Sequence, residues 1–285
     1  MGVATATTRA RVQAWHTHVA LCDVPTAAVA VSLALTAAVA AGERTPARLL
    51  ALALCCFAAA SGASLLAAWL EQRSKRCVGR HLDSPPGAEV LAFGGILVAA
   101  SQAAILFLGT GPALYLLAAA ASYALLYRTW LWPRTPFSIV FAGAAASLVA
   151  LAGWQTAAST FRPAALLLAA VIFLWIPTYL WSLSIVLEAE HRTSGLPSLA
   201  VVSGRERSAA AVFANTVGLV VASLVFAPRL GLLSAAIAAA AGAGLVTAAL
   251  DLRARPGTAS ARRLSRLSVA YLLVLLAGIV LSSLS

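Results

Sequence analysis

From Val24 to the C-terminus, apolar runs follow one another with only short polar interruptions, and this constrains the fold more than any other feature. An α-helix rises about 1.5 Å per residue, so ~20 apolar residues cross a hydrocarbon core of roughly 30 Å. Nine stretches approach that length: residues 24–41, 47–70, 90–108, 112–127, 136–154, 163–187, 209–226, 230–250 and 267–284. The fourth is short and is expected to cross with little tilt or only in part; the Gly109/Thr110/Gly111/Pro112 turn separates it from the third. Pro25, Pro112, Pro136 and Pro163 stand at or near helix starts, where a missing N–H costs nothing. Composition agrees: 61% of residues are hydrophobic and 10% charged, against roughly a quarter charged in soluble domains. The expectation is an all-α integral membrane protein of about nine transmembrane helices, with residues 1–23 as a cytoplasmic segment and 24–285 as one membrane domain. Arg9 and Arg11 before the first run, and the small residues Ala38 to Ala41 at its end, would also suit a cleavable signal peptide. The long polar lead and the eight runs that follow favour a permanent helix.

Basic residues fix the expected orientation. Sixteen of the 20 Lys and Arg fall in the N-terminal segment and in the second-to-third, fourth-to-fifth, sixth-to-seventh and eighth-to-ninth loops; only Arg44, Arg48, Arg162 and Arg229 fall on the other side. The N-terminus is therefore expected in the cytoplasm and the C-terminus outside, in a multi-pass protein of the plasma membrane. The formal charge of +11 follows from this topology and from affinity for anionic headgroups, so nucleic acid is not an expected partner; the lipid bilayer is.

Cys22, Cys55, Cys56 and Cys77 lack metal-ligand spacing, and His16, His18, His81 and His191 lie outside the runs, which removes an intramembrane haem ligand or proton relay. No glycine-rich phosphate loop, nucleophile elbow or internal repeat is present. The carboxylates are more informative. Of nine, all but Glu43 fall on the expected cytoplasmic side, and two loops, 71–83 and 188–207, mix acid and base at the end of a span. They read either as an ordinary solvated rim or as a polar chamber over an apolar cavity, the arrangement that an amphiphile with an anionic head requires. Arg128, beside Tyr127 at a helix end, reads as a topology anchor.

The stretch from Tyr127 and Arg128 through Trp130, Trp132, Pro133, Arg134, Thr135 and Pro136 to Ile139, Gly143, Gly153 and Trp154 resembles the fourth-to-fifth helix region of the UbiA prenyltransferase superfamily, in particular its protoheme IX farnesyltransferase (haem O synthase) branch. Phe173 to Pro177 with Trp181 to Ser184 is similar to that family's sixth helix, Gly195 to Gly204 to its following loop, and Ser268 to Leu273 to the start of its last helix. The resemblance implies a UbiA-like bundle that transfers a prenyl group from an isoprenoid diphosphate to a lipophilic acceptor, haem B or a quinone or aromatic precursor. It implies two cytoplasmic aspartate-rich motifs that hold Mg²⁺ against the diphosphate, since hard oxygen ligands suit that ion.

This chain departs from those motifs. By alignment the first is reduced to Ala67, Glu71, Arg73 and Lys75, so one carboxylate is kept and two positions carry reversed charge. The second keeps Glu190, with Glu188, His191 and Arg192 beside it; Tyr179 stands for the acceptor-end histidine, and Trp132 and Pro133 for a Lys/Arg pair. On the resemblance, Glu71 and Glu190 are the catalytic carboxylates and the residual, weak ligands for Mg²⁺. Arg73, Lys75, Arg76, Arg80 and Arg192 would grip the diphosphate directly. Tyr127, Trp175, Tyr179 and Trp181 would line the prenyl or acceptor pocket, although the aromatics equally suit packing or an interface belt. The alternative function is a catalytically inactive paralogue that binds an isoprenoid, a tetrapyrrole or a membrane partner.

Overall fold

The computed structural model describes residues 23–73, 87–158 and 162–284. Among them are nine helices long and apolar enough to cross a membrane, and no strand. They are α1 (Val24–Ala41), α2 (Pro46–Arg73), α3 (Ala88–Ser101, continued by Ala104–Phe107), α4 (Thr110–Ala121, continued as a π-helix over Ser122–Leu131), α5 (Ile139–Ala157), α6 (Pro163–Val186), α7 (Leu199–Phe226), α8 (Leu232–Ala254) and α9 (Thr258–Leu284). Short connections make successive helices antiparallel. The start of α1, the ends of α2, α4, α6 and α8 and the starts of α7 and α9 therefore share one end of the bundle, called proximal below.

Three spans are longer than the apolar runs. The fourth is a full-length crossing, Thr110–Leu131. Its apolar run breaks at Arg128, but the helix continues because Glu71 of α2 neutralises that arginine inside the bundle. The seventh begins at Leu199 and the ninth at Thr258, since the charged turns around Arg205 and Arg262 extend the helices beyond their apolar stretches. Gly204, inside α7, has φ 77° and ψ 167° and turns the chain where an L side chain would be strained.

Lipid tails are as apolar as leucine, so the helices are held together by close van der Waals contact rather than by a hydrophobic push. Small residues allow it. A Cβ on Gly153 of α5 would lie 2.0 Å from the Ala34 carbonyl oxygen of α1, and one on Gly62 of α2 would lie 2.8 Å from the Gly94 oxygen of α3. Two buried clusters share α1 and α5: one around Leu168, Ile172, Leu219 and Leu245, the other around Leu52, Leu116 and Val149. Leu106 and Leu232, 81% and 87% exposed, face outward, where lipid and not water is the natural surrounding.

At the distal end Glu43 is buried and accepts from the Arg44 and Thr45 amides at 3.1 and 2.9 Å. Arg48 pairs with it at 3.0 Å and also donates to the Thr156 carbonyl of α5. Burial raises the Glu43 pKa, but the Thr45 hydrogen bonds and the Arg48 charge outweigh it and hold the carboxyl below its usual value. Arg44 donates to the Ser283 carbonyl, tying this loop to α9.

Candidate functional site

A cavity of about 540 Å³ opens between α1, α2, α4, α5, α6 and α9. That is within the ~300–1,000 Å³ of small-molecule sites. Its floor is small and apolar, with Ala59, Ala63, Ala119, Ala145 and Val149. Aromatic rings form much of the rest: Tyr123, Tyr127, Trp132, Trp175 and Tyr179. Among the described lining residues the charged side chains are Asp23 and Arg128, both at the proximal end. The cavity is thus an apolar sleeve with an ionic end.

The π-helical turns of α4 build that end. The Trp132 amide donates to the Tyr127 carbonyl at 2.9 Å and the Thr129 hydroxyl to the Ala124 carbonyl at 2.6 Å, both five residues back. In an α-helix, positions five apart point about 140° away from each other. The wider turn brings them onto one face, so Tyr127 and Trp132 stack at 5.3 Å with planes 9° apart. Wide turns of this kind are frequent at functional sites. Arg128 lies over the Trp132 ring, 3.8 Å from its centroid. Its Nη2 donates to Glu71 Oε2 at 3.0 Å and its Nε lies 2.6 Å from Oε1, an ion pair with 10% and 12% of the two side chains exposed.

On the α6 wall, Trp175 and Tyr179 stack at 5.6 Å and 6°, and the Trp175 indole donates to the Ser268 carbonyl of α9 at 2.8 Å. Pro177 lies between them within the helix, where it has no amide to complete the α-helical ladder. Asn215 of α7 braces this turn, donating to the Leu174 carbonyl at 2.7 Å and to the Thr178 hydroxyl at 2.8 Å.

Of the residues singled out from sequence, Tyr127, Trp175 and Tyr179 line the cavity. Trp181 is buried outside the lining, its indole donating to the Pro136 carbonyl at 3.4 Å. Glu71 stands behind Arg128 and outside the lining. Glu190 is exposed on the short helix Glu188–Thr193, also outside it. The Arg73 side chain, Lys75, Arg76 and Arg80 lie outside the described residues. Arg128, expected as a topology anchor, also lines the cavity, as do Tyr123, Trp132 and Asp23, for which the sequence carries no expectation of a role. The available signal was that Glu71 and Arg128 each interrupt an apolar helix at the same expected end, and an ionised side chain at such depth requires a counter-charge.

Glu188 binds Arg205 at 2.5 Å and Arg192 at 2.8 Å. The Arg205 and then the Arg192 hydrogen bonds lower its carboxyl pKa, while burial lowers that of His191 in spite of the Glu190 charge beside it. A lowered carboxyl pKa stabilises the fold above the ordinary value near 4.5 and ceases to do so as pH falls through the folded value. Glu188→Gln is therefore expected to lower the thermal midpoint at pH 7 and to lower it progressively less as pH falls below 4.5, by melting curves at pH 7 and at an acidic pH below 4.5. An equal shift at both pH values would contradict this.

The fold implied by family resemblance includes a Mg²⁺ site, and the residues described do not supply one. Among the described residues, no group of three or more His, Cys, Asp or Glu lies close enough to hold a metal. Mg²⁺ needs several oxygen ligands in near-octahedral geometry. Glu71, which stands behind Arg128, is instead paired with its guanidinium.

A family model described as the UbiA prenyltransferase family matches residues 27–274. The chain is 34% identical over 181 residues to a protoheme IX farnesyltransferase of Acidiphilium cryptum, covering 60% of this chain and 56% of that one. It is 36% identical over 129 residues to protoheme IX farnesyltransferase 2 of Paramagnetospirillum magneticum, covering 45% of each. It thus spans about half the length of the curated relatives it matches. Among solved structures, one of digeranylgeranylglyceryl phosphate synthase superposes with a TM-score of 0.78 at 15% identity, over 95% of this chain and 99% of that one. A UbiA homologue of Archaeoglobus fulgidus bound to GPP and Mg²⁺ does so with a TM-score of 0.64 at 14% identity, over 92% and 98%. At such identities these structures bear on the fold alone. With the family match running from the first turn of α1 into α9, the chain belongs to the UbiA prenyltransferase family.

Proposed function

We propose that this chain transfers a prenyl group from an isoprenoid diphosphate to a lipophilic acceptor, haem B or a quinone-type aromatic, at the cavity between α1 and α9. The observation that carries this reading is the cavity's polarity: an apolar, aromatic sleeve whose charged end holds the Arg128 guanidinium together with Asp23. In the reaction the allylic C–O bond breaks and its electron pair leaves with inorganic diphosphate. The acceptor's π-electron pair then forms the new C–C bond, and loss of a proton or addition of water quenches the resulting cation. Aromatic faces stabilise an allylic cation, and exclusion of water keeps it from hydrolysis. Tyr127, Trp175 and Tyr179 present such faces, and the bracing of Trp175 by Ser268 holds one of them in place. The proximal end belongs in the cytoplasm, where the basic loops and water-soluble diphosphates meet. Lys75, Arg76, Arg80 and Arg192 would gather the diphosphate there, with Glu190 and Glu188 in the same loop region. Names carried by relatives, protoheme IX farnesyltransferase among them, favour a haem acceptor.

The test is turnover. Purified chain in nanodiscs, given farnesyl diphosphate with haem B or with a quinone precursor, is expected to release inorganic diphosphate and a prenylated product by mass spectrometry. Tight binding of farnesyl diphosphate without product on any acceptor would instead identify an inactive paralogue.

A further inference from the structure

We infer that Arg128, held by Glu71, is a built-in cation of the diphosphate subsite, taking the charge-neutralising place that a hard metal ion would otherwise need. The inference rests on the prenyl-diphosphate reading of the cavity and adds a residue that sequence analysis gave no binding role.

Three features carry it. The first is position: Arg128 is in the cavity lining and Glu71 is not, so the carboxylate sits behind the guanidinium and the positive face is turned inward. The second is the edge used. Glu71 takes the Nε and Nη2 side of the guanidinium, which leaves the Nη1 edge outside the pair. Arginine has five N–H donors in a rigid fork, so a contact to phosphate oxygens remains within its chemistry. The third is fixation. Trp132 lies against the guanidinium at 3.8 Å and is itself stacked on Tyr127, so the plane is held between an anion and an aromatic face. A π-helical turn, locally uncommon, is what brings that ring there. The buried pair is an expensive arrangement to keep for packing alone, because a well-fitted apolar pair is often as stable. Asp23, the other charged lining residue, stands at the start of α1.

The variants separate a guanidinium from a metal subsite. If Glu71 were a metal ligand, Glu71→Gln would weaken diphosphate binding. If it is a tether, the amide oxygen still accepts an Arg128 N–H while the neighbouring negative charge is gone, so binding holds or tightens. Farnesyl diphosphate is titrated into the full chain in nanodiscs, with magnesium and with chelator. Wild-type affinity is expected to change by less than about threefold between the two, and Arg128→Gln to weaken it by roughly tenfold or more in both. Should Arg128→Gln fail to fold, the Glu71→Gln/Arg128→Gln double variant leaves no orphan charge and is expected to show the same loss. Loss of binding on chelation of the wild type, or in Glu71→Gln, overturns the inference while the prenyl-diphosphate reading stands. Wild-type binding retained in both Arg128 variants also overturns it. No binding of the wild type under either condition overturns both.

Discussion

Glu71→Ala is expected to lower stability by about 3–5 kcal/mol, because it leaves the Arg128 guanidinium buried beside Trp132 without a counter-ion. Thermal unfolding in detergent, followed by tryptophan fluorescence, measures this. Glu71→Met/Arg128→Met removes both charges and is expected to recover most of the loss, since the buried pair is balanced by its own desolvation. A double-mutant cycle therefore should show strong coupling between the two positions. A cost below ~1 kcal/mol for Glu71→Ala, the range of an exposed ion pair, would contradict the burial described. Stability and ligand binding part company here: the double variant should fold and yet bind farnesyl diphosphate poorly.

Gly153→Leu should be comparably severe for a different reason. The added Cβ alone would come within 2.0 Å of the Ala34 backbone, which is not a flexible side-chain tip that can swing away. Overpacking ordinarily costs about 1–3 kcal/mol, and a backbone clash between α1 and α5 belongs at or beyond the upper end. Both helices line the cavity, so the displacement is expected to abolish a monodisperse peak in size-exclusion chromatography. Gly95→Ala is the control: nothing lies within 4 Å of its Cβ, and alanine is the better helix former by about 1 kcal/mol. Equal behaviour of the two variants would show that small-residue contacts do not set the spacing of α1 and α5.

The contrast between these two sites explains what was legible in the sequence. Length and apolarity gave nine spans because a bilayer demands both, and the expected boundaries of α1 and α6 agree with the observed ones to within a residue. Trp175 and Tyr179, which the sequence left open between a pocket and simple packing, line the cavity. Where ionic residues are buried, periodicity failed: the fourth run stopped at Arg128 because charge interrupts an apolar stretch, and only the three-dimensional approach of Glu71 shows that charge to be satisfied. Trp132 was illegible for a geometric reason. Its contact with Tyr127 spans five residues, and α-helical spacing would have placed the two on different faces. Arg192, read as a diphosphate ligand, lies on Glu188 at the proximal end, within reach of solvent and outside the cavity lining.

If the cavity is a prenyl-diphosphate site with its charged end at Arg128, the bound diphosphate must meet that guanidinium. A structure of the chain bound to a non-hydrolysable thiolo analogue of farnesyl diphosphate tests it most directly. The diphosphate oxygens are expected within ~2.7–3.1 Å of the Arg128 guanidinium, with the prenyl tail running along Trp175 and Tyr179 toward Val149. A diphosphate bound away from Arg128, or a tail lying outside the sleeve formed by α1, α4, α5 and α6, would contradict it.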